Sequence, residues 1–370
     1  MTLSENPRLR MLTLCALYIA QGIPFGFVMV TLANILAGRG LSAEDVGGFL
    51  ALATLPWAFK WLWGPIIDLI GVRAMGRRRP WILLAQGLMA LTMGAMIMVT
   101  DLVAGVALLG WLVFVHNIFN SLQDVAVDAL AVDLLNEDER GRVNGLMYGS
   151  KYLGVVVGST GLAWVVEGFG LRAGLILQVA MLGAIFLLPM ALRERPGDLL
   201  WGWRRSPAQV AAQGVVAAVG RRASFLAALQ TLAGLFIDLF RAFGLRSSLL
   251  GIGLALASQL GNGVLSVVSK ILYTQELGFS AADLSEHQGW SYMVGLFGAI
   301  AGGFLADRFG AKRIIAVGLL GLGALWLGFA ALQPWWSHRY IAIALLYAEP
   351  AFGSVASVGM FSLFMGISWP

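Results

Sequence analysis

The sequence predicts an all-α polytopic membrane protein, on three observations. Of 370 residues, 59% are apolar and only 12% charged, against roughly 25% charged in soluble domains, and the mean hydropathy is +0.80. Apolar runs long enough to cross a bilayer, which takes about 20 residues each, recur down the whole chain between short charged or Gly/Pro-containing turns. Finally, 47 glycines and 13 tryptophans suit helices that pack closely and anchor at membrane surfaces. A soluble chain of this size would own too little polar surface to cover its core.

Ten spanning segments follow in order: 11–37, 46–71, 81–100, 102–134, 142–166, 171–192, 247–275, 288–307, 312–333 and 340–368. The first follows Arg8 and Arg10 like a signal peptide, but it far exceeds an h-region of roughly 7–15 residues. Gly22-Ile23-Pro24 interrupts it, and proline kinks a helix by removing a backbone donor. The second sets Lys60 among Trp57, Trp61 and Trp63, and the third follows Arg77, Arg78 and Arg79. The fourth carries a polar stripe. The fifth holds Lys151 and Gly154-x-x-x-Gly158, and the eighth Gly298-x-x-x-Gly302, small-residue faces suited to close crossing. Lys270 lies in the seventh and Glu349 in the tenth; Trp335 and Trp336, after the ninth, read as interfacial anchors.

Residues 224–243 are also apolar enough to span. Basic residues at both ends (Arg221, Arg222, Arg241, Arg246) and Asp238 near one of them place this run in the headgroup plane instead. The organisation expected is a six-helix bundle over 1–192, a cytoplasmic central loop with an interfacial helix over 193–246, and a second bundle over 247–370. With the N-terminus inside, Arg8, Arg10, Arg73, Arg77, Arg78, Arg79, Arg140, Arg142, Arg308, Lys312, Arg313 and the arginines of 193–246 are cytoplasmic. Only Arg39, Arg172 and Arg339 fall outside, as the positive-inside rule requires.

Other classes drop out. Cys15 is alone, and His116, His287 and His338 are far apart without an HExxH, so no metal site is expected. There is no GxxxxGK[ST], hence no ATP site. The net charge of +5 belongs to membrane-flanking turns and not to a nucleic-acid surface. We expect no enzyme and no cofactor, with a proton gradient as the energy source, the lipid bilayer as surroundings, and a monomer.

An internal repeat points further. After the second segment the chain reads Gly64-Pro-Ile-Ile-Asp68, then Gly76-Arg77-Arg78-Arg79; after the eighth it reads Gly303-Phe-Leu-Ala-Asp307-Arg308-Phe-Gly310-Ala-Lys312-Arg313. The pattern G-x-x-x-D-(R/K)-x-G-x-(R/K)-(R/K) resembles the signature loop of the major facilitator superfamily; the first copy departs from it at Leu69 and in its spacing. The stretches Tyr18-Ile-Ala-Gln21-Gly22-Ile23-Pro24, Leu55-Pro56-Trp57-Ala58-Phe59-Lys60-Trp61-Leu62-Trp63-Gly64-Pro65, Gly76-Arg77-Arg78-Arg79-Pro80-Trp81 and Gln123-Asp124-Val125-Ala126-Val127-Asp128-Ala129 are similar to the branch containing the bacterial muropeptide permeases and the eukaryotic acetyl-coenzyme A transporter. The resemblance implies a major facilitator fold, two six-helix halves rocking about a central site, with helices one and four lining the path. Members have twelve helices and this chain stops in the tenth, so we expect either a sequence short by about two helices of roughly 25 residues or a protein without the last hairpin.

Ionisable residues inside a bilayer cost about 3 kcal/mol each on the lenient insertion scale. The set is Lys60, Asp124, Asp128, Lys151, Lys270 and Glu349. Lys60, Asp124 and Lys151 each lie about 10 residues, roughly 15 Å, from a cytoplasmic helix end, so all three can meet. His116, Asn120, Asp124 and Asp128, at i, i+4, i+8 and i+12, form the stripe on the fourth segment, widened by Asn117 and Gln123; it must face protein or a water-filled cavity. His116 by itself reads as a hydrogen-bonded core residue. Two readings stay open: a static cluster locking the first bundle, or a proton-coupling and anion-binding cavity. Lys270 and Glu349 are the second half's contribution or a private ion pair; Asp133, beside Glu137, Asp138 and Glu139, is expected to be solvated.

The expected function is an inner-membrane secondary transporter taking up an anionic solute such as a muropeptide by proton symport. Siderophore, acyl-coenzyme A and drug transport stay open. So do a membrane enzyme, which would place its carboxylates at the water boundary, and a non-transporting assembly partner.

Overall fold

The computed structural model describes residues 2–69, 74–202, 246–336 and 338–368. Each expected segment in it is helical. Helix α1 is Pro7–Gly38; α2 is Ala43–Ala58, restarting as Trp63–Leu69; α3 is Arg79–Met96 and α4 is Val106–Leu134. Helix α5 is Glu137–Val156, running on into Leu162–Phe169, and α6 is Leu171–Ala191. In the second half α7 is Arg246–Ile271, α8 Ala281–Phe309, α9 Ala311–Ala331 and α10 Arg339–Ser368. Among the described residues seven helices are long and apolar enough to cross a membrane: α1, α4, α5, α6, α8, α9 and α10. The expected interfacial helix at 224–243, with the central loop beyond residue 202, lies outside the described residues.

Three helix starts show why the elements begin where they do. Asn6, Ser42 and Ser280 each accept a hydrogen bond from the backbone N–H three residues on, at 3.1 Å, capping α1, α2 and α8, which satisfies an otherwise orphaned donor. The last two caps belong to one repeat: Gly40-Leu41-Ser42-Ala43-Glu44-Asp45 and Gly278-Phe279-Ser280-Ala281-Ala282-Asp283, whose glycines sit at φ +85° and +69°. Because of the second cap, α8 starts at Ala281, seven residues before the expected 288. The polar stretch Asp283 to Gln288 is helical because it packs against the first half.

Helix α2 also departs from expectation. Instead of one rod over 46–71, it breaks at Phe59 and passes through a single 3-10 turn, Lys60–Leu62. Pro56 and Pro65 bracket the break, each removing a backbone donor. Pro65 falls in the first turn of the restarted helix, where a missing donor costs least.

Both GxxxG faces are crossings. A methyl group on Gly154 would stand 2.6 Å from the Ile19 carbonyl oxygen, and one on Gly298 2.8 Å from that of Ala351. Helix α1 therefore packs backbone to backbone on α5, and α8 on α10. Helix α1 is the innermost rod, with 72% of its apolar window buried; α9 is peripheral at 22%, and outward-facing Leu320 and Leu327 are exposed. Two apolar clusters fill the first half, one around Phe27, Phe49 and Met93, the other around Leu17, Ile82 and Leu130.

Candidate functional site

The break in α2 turns Lys60 toward α4. Its Nζ lies 3.2 Å from Asp124 Oδ2, and Lys151 Nζ on α5 lies 3.4 Å from Asp124 Oδ1. The Asp124 side chain is only 5% exposed, whereas Lys151 is 22% and Lys60 46% exposed. The carboxylate is thus sealed behind two ammonium groups that reach open space. One turn further along α4, Asp128 accepts a hydrogen bond from the Tyr18 hydroxyl on α1. Lys151 Nζ also stands 5.1 Å from the centroid of the Trp57 ring and 5.7 Å from that of Tyr18, within cation–π range. Trp63 donates its indole N–H to Ser121 Oγ at 3.0 Å, while Trp61 is half-exposed. Four elements therefore converge on two carboxylates.

The polar stripe does not share a single face. Four residues overshoot a helical turn by about 40°, so twelve residues wind through about 120°. Asp124 and Asp128 face α1, α2 and α5. His116, fully buried, instead turns to α3, where its Nδ1 lies 3.2 Å from the Met89 carbonyl oxygen and 3.1 Å from Thr92 Oγ1. Gln123 likewise donates to Gln86 Oε1 at 2.8 Å. Between them Asn117 donates to the Ala53 carbonyl at 2.9 Å, and Asn120 makes a long contact, 3.5 Å, with Asn117 Oδ1.

Between the halves lies a cavity of about 370 Å³. Tyr152 reaches it from the first half, and Lys270, Gln288, Ser291, Tyr292 and Glu349 from the second. The Tyr152 and Tyr292 ring centroids stand 6.4 Å apart, with the rings tilted by 45°. Lys270 and Glu349 share this cavity without pairing: no Lys270–Glu349 ion pair forms within 4.0 Å, so they are not a private bridge.

One end of the cavity is shut by residues that sequence reasoning missed. Asn34, fully buried in α1, donates its amide to Ser285 Oγ (3.0 Å) and Gln288 Oε1 (2.8 Å), and its Oδ1 accepts from Lys270 Nζ at 3.4 Å. Gln275 donates to the Ala37 and Leu41 carbonyls at 2.9 and 3.0 Å. Trp164 donates to Glu286 Oε2 at 2.9 Å, and Thr160 to the Glu286 carbonyl at 3.3 Å. Among the described residues, every hydrogen bond joining the halves lies at this end. The signals that could have found it are an asparagine in the middle of an apolar run and the Gly-x-Ser-Ala-x-Asp repeat.

The opposite end carries the signature loops. Asp68 binds Arg77 (3.0 Å) and Arg78 (2.6 Å), and Arg78 Nε also binds Asp133 at 2.8 Å. Asp133 is therefore an ion-pair partner and not solvated, because the Arg78 guanidinium is folded inward against it. Gly64 stands clear of neighbours, and Gly76 holds φ +106°. In the second copy Gly303 faces Val358, Arg308 lies 5.5 Å over the Phe309 ring, and Gly310 turns the chain at φ +88°. Lys312 and Arg313 are exposed; the Asp307 side chain lies outside the described part.

A family model described as Major Facilitator Superfamily matches residues 13–368. The anhydromuropeptide permease of Escherichia coli (strain K12) is 24% identical over 365 residues, covering 98% of this chain and 68% of its own. Among solved structures, the nucleoside transporter NupG aligns with a TM-score of 0.67 at 14% identity, covering 97% of this chain and 82% of that one. The partially occluded inward-open xylose transporter XylE from E. coli aligns at 0.64 and 14%, covering 97% and 87%. With an all-helical fold, signature loops in each half and a cavity between the halves, the chain belongs to the Major Facilitator Superfamily, and it is a multi-pass membrane transporter of small solutes, not an enzyme.

Proposed function

We propose that this transporter takes up an anionic sugar-peptide solute, of the anhydromuropeptide kind, by proton symport across a bacterial inner membrane, with its N-terminus in the cytoplasm. The observation that carries the reading is Asp124, a sealed carboxylate held by two lysines that reach open space. An anion approaching Lys60 and Lys151 competes with Asp124 for them, and a buried carboxylate stripped of its counter-charges is costly in a water-poor site, a cost that a co-transported proton offsets. Solute binding and protonation are then linked. The positive-inside pattern supports the orientation; in it the Asn34 closure faces outward. The similarity to an anhydromuropeptide permease supports the solute class.

The test is solute-dependent proton movement in proteoliposomes of the intact protein, with an anhydro-sugar tripeptide as the solute. Asp124→Asn should abolish acidification of the lumen while leaving exchange of the solute measurable. If Asp124→Asn alters only the yield of folded protein, the cluster is a static lock and the symport reading fails.

A further inference from the structure

We infer that the Lys270–Glu349 cavity binds a zwitterionic group, such as a free amino-acid or peptide end, with its carboxylate on Lys270 and its ammonium on Glu349. The inference deepens the transport reading above and rests on it for its physiological setting.

Two opposite charges line one cavity and yet stay apart. Lys270 is 5% exposed, and the one hydrogen bond of its ammonium goes to a neutral amide, Asn34 Oδ1, at 3.4 Å. Glu349, half-buried, has no hydrogen-bond or ion-pair partner among the described residues. A buried charge without a counter-charge is costly in a low-dielectric interior, and these two sit within electrostatic reach of each other. Lys270 turns instead toward Asn34 on α1, while Glu349 stands on α10 beside Pro350. The cavity they share carries one charge of each sign on its wall and has about 370 Å³ of room in all, within the roughly 300–1,000 Å³ range of ligand pockets.

A singly charged solute satisfies one of these residues and leaves the other buried and unmatched. A zwitterion satisfies both. Gln288, Ser291, Tyr152 and Tyr292 on the same wall supply uncharged donors and acceptors for the amide that separates the two charges. A carboxylate is also a stronger acceptor than an amide for an ammonium, so the arriving group draws Lys270 off Asn34. That loosens one of the bonds holding the halves shut.

The experiment is calorimetric binding to the intact protein in nanodiscs, with alanylalanine, its C-terminal amide and its N-acetyl form as probes. Wild type should prefer the free dipeptide over both singly charged forms by at least about tenfold, the scale of one lost charged hydrogen bond. In Lys270→Met the amide should bind as well as the free dipeptide; in Glu349→Gln the N-acetyl form should. Lys270→Arg and Glu349→Asp should keep the wild-type ranking. Equal binding of all three probes by wild type, or an unchanged ranking in both neutralised variants, overturns the proposal. Each neutralised variant is read separately, so loss of fold in one leaves the other decisive. Uptake of the anhydro-sugar tripeptide is scored independently: its failure with the dipeptide ranking intact removes that solute and keeps the dipolar site.

Discussion

Arg79 stands in a run of basic loop residues, yet it is only 2% exposed. Its guanidinium donates to the carbonyls of Pro189 (2.6 Å), Met190 (2.9 Å) and Leu200 (2.9 Å), two of them at the C-terminus of α6, where a helix leaves carbonyls unsatisfied and favours a cation. Glu194 completes the clasp by accepting the backbone N–H groups of Arg78 and Arg79 at 2.9 and 3.2 Å. Burial pushes the Glu194 carboxyl above the ordinary carboxylate range, and those two donors offset only part of the shift. A raised carboxyl favours the protonated folded state, so its contribution is present at acid pH and lost as pH rises through the raised value. Glu194→Gln, a neutral acceptor of the same shape, should melt with wild type near pH 4 and above it at pH 8. Glu194→Ala, which orphans two N–H groups, should cost about 1–3 kcal/mol at both. A pH-independent gap in fluorescence melting curves would discard this account. Sequence made Lys60, Asp124 and Lys151 legible because a charge deep in an apolar run is conspicuous. Glu194 was hidden between Arg193 and Arg195 as an ordinary loop acid, and Asn34 was passed over because it carries no charge, although an amide in the middle of an apolar run is a signal of its own.

At the level of elements, small residues set helix separation. Gly158 lies under the Ile23 carbonyl and the Phe27 backbone, and Gly26 under Val155, so α1 and α5 are held closer than side chains permit. Gly158→Ala should destabilise the first half by about 1–3 kcal/mol, the usual cost of overpacking, read as a lower melting temperature. Gly161, with nothing within 4 Å of an added methyl, should accept alanine without loss; equal effects at the two sites would rule out the crossing as the cause. The spacing of glycines and the lengths of apolar runs were enough to find these rods and this crossing. The break in α2 was marked in the sequence only by Pro56 and Pro65 on either side of it, and these lie inside an apolar run long enough to read as one rod. The winding of the α4 stripe was legible only in part: its spacing was read as one face, and the 40° drift per step was left out.

For the whole molecule, closure at the Asn34 end of the cavity marks a conformational state. Gly38 and Ala281 face each other across the shut end: a methyl built on Gly38 stands 3.9 Å from the Ala281 Cβ, the separation of a disulfide's Cβ atoms. In a Cys15→Ser background, Gly38→Cys with Ala281→Cys should cross-link on mild oxidation, stop uptake by more than about tenfold, as a blocked alternation requires, and recover on reduction. Uptake that survives complete cross-linking would mean that this closure does not open during transport. The repeated signature loops were enough to point to the family. The state of the cavity was not readable, since one sequence specifies both states of an alternating transporter and only their relative populations differ.

Three helices around this closure carry π-helical turns, at Phe27–Leu32 in α1, Val157–Gly161 in α5 and Leu272–Glu276 after α7, and the first two are joined where Thr31 Oγ1 donates to the Gly158 and Ser159 carbonyls. Such a turn accommodates one residue more than the α-helical repeat allows. Deleting that residue would let the turn relax to ordinary α-helix and leave the faces on either side in phase, so Trp164 would stay turned toward Glu286, whereas the same deletion in a regular stretch would swing everything beyond it by about 100°. A one-residue gap between relatives at one of these turns therefore marks the loss of a π-turn and not of the seal, while a gap elsewhere in the same helices marks a differently built seal.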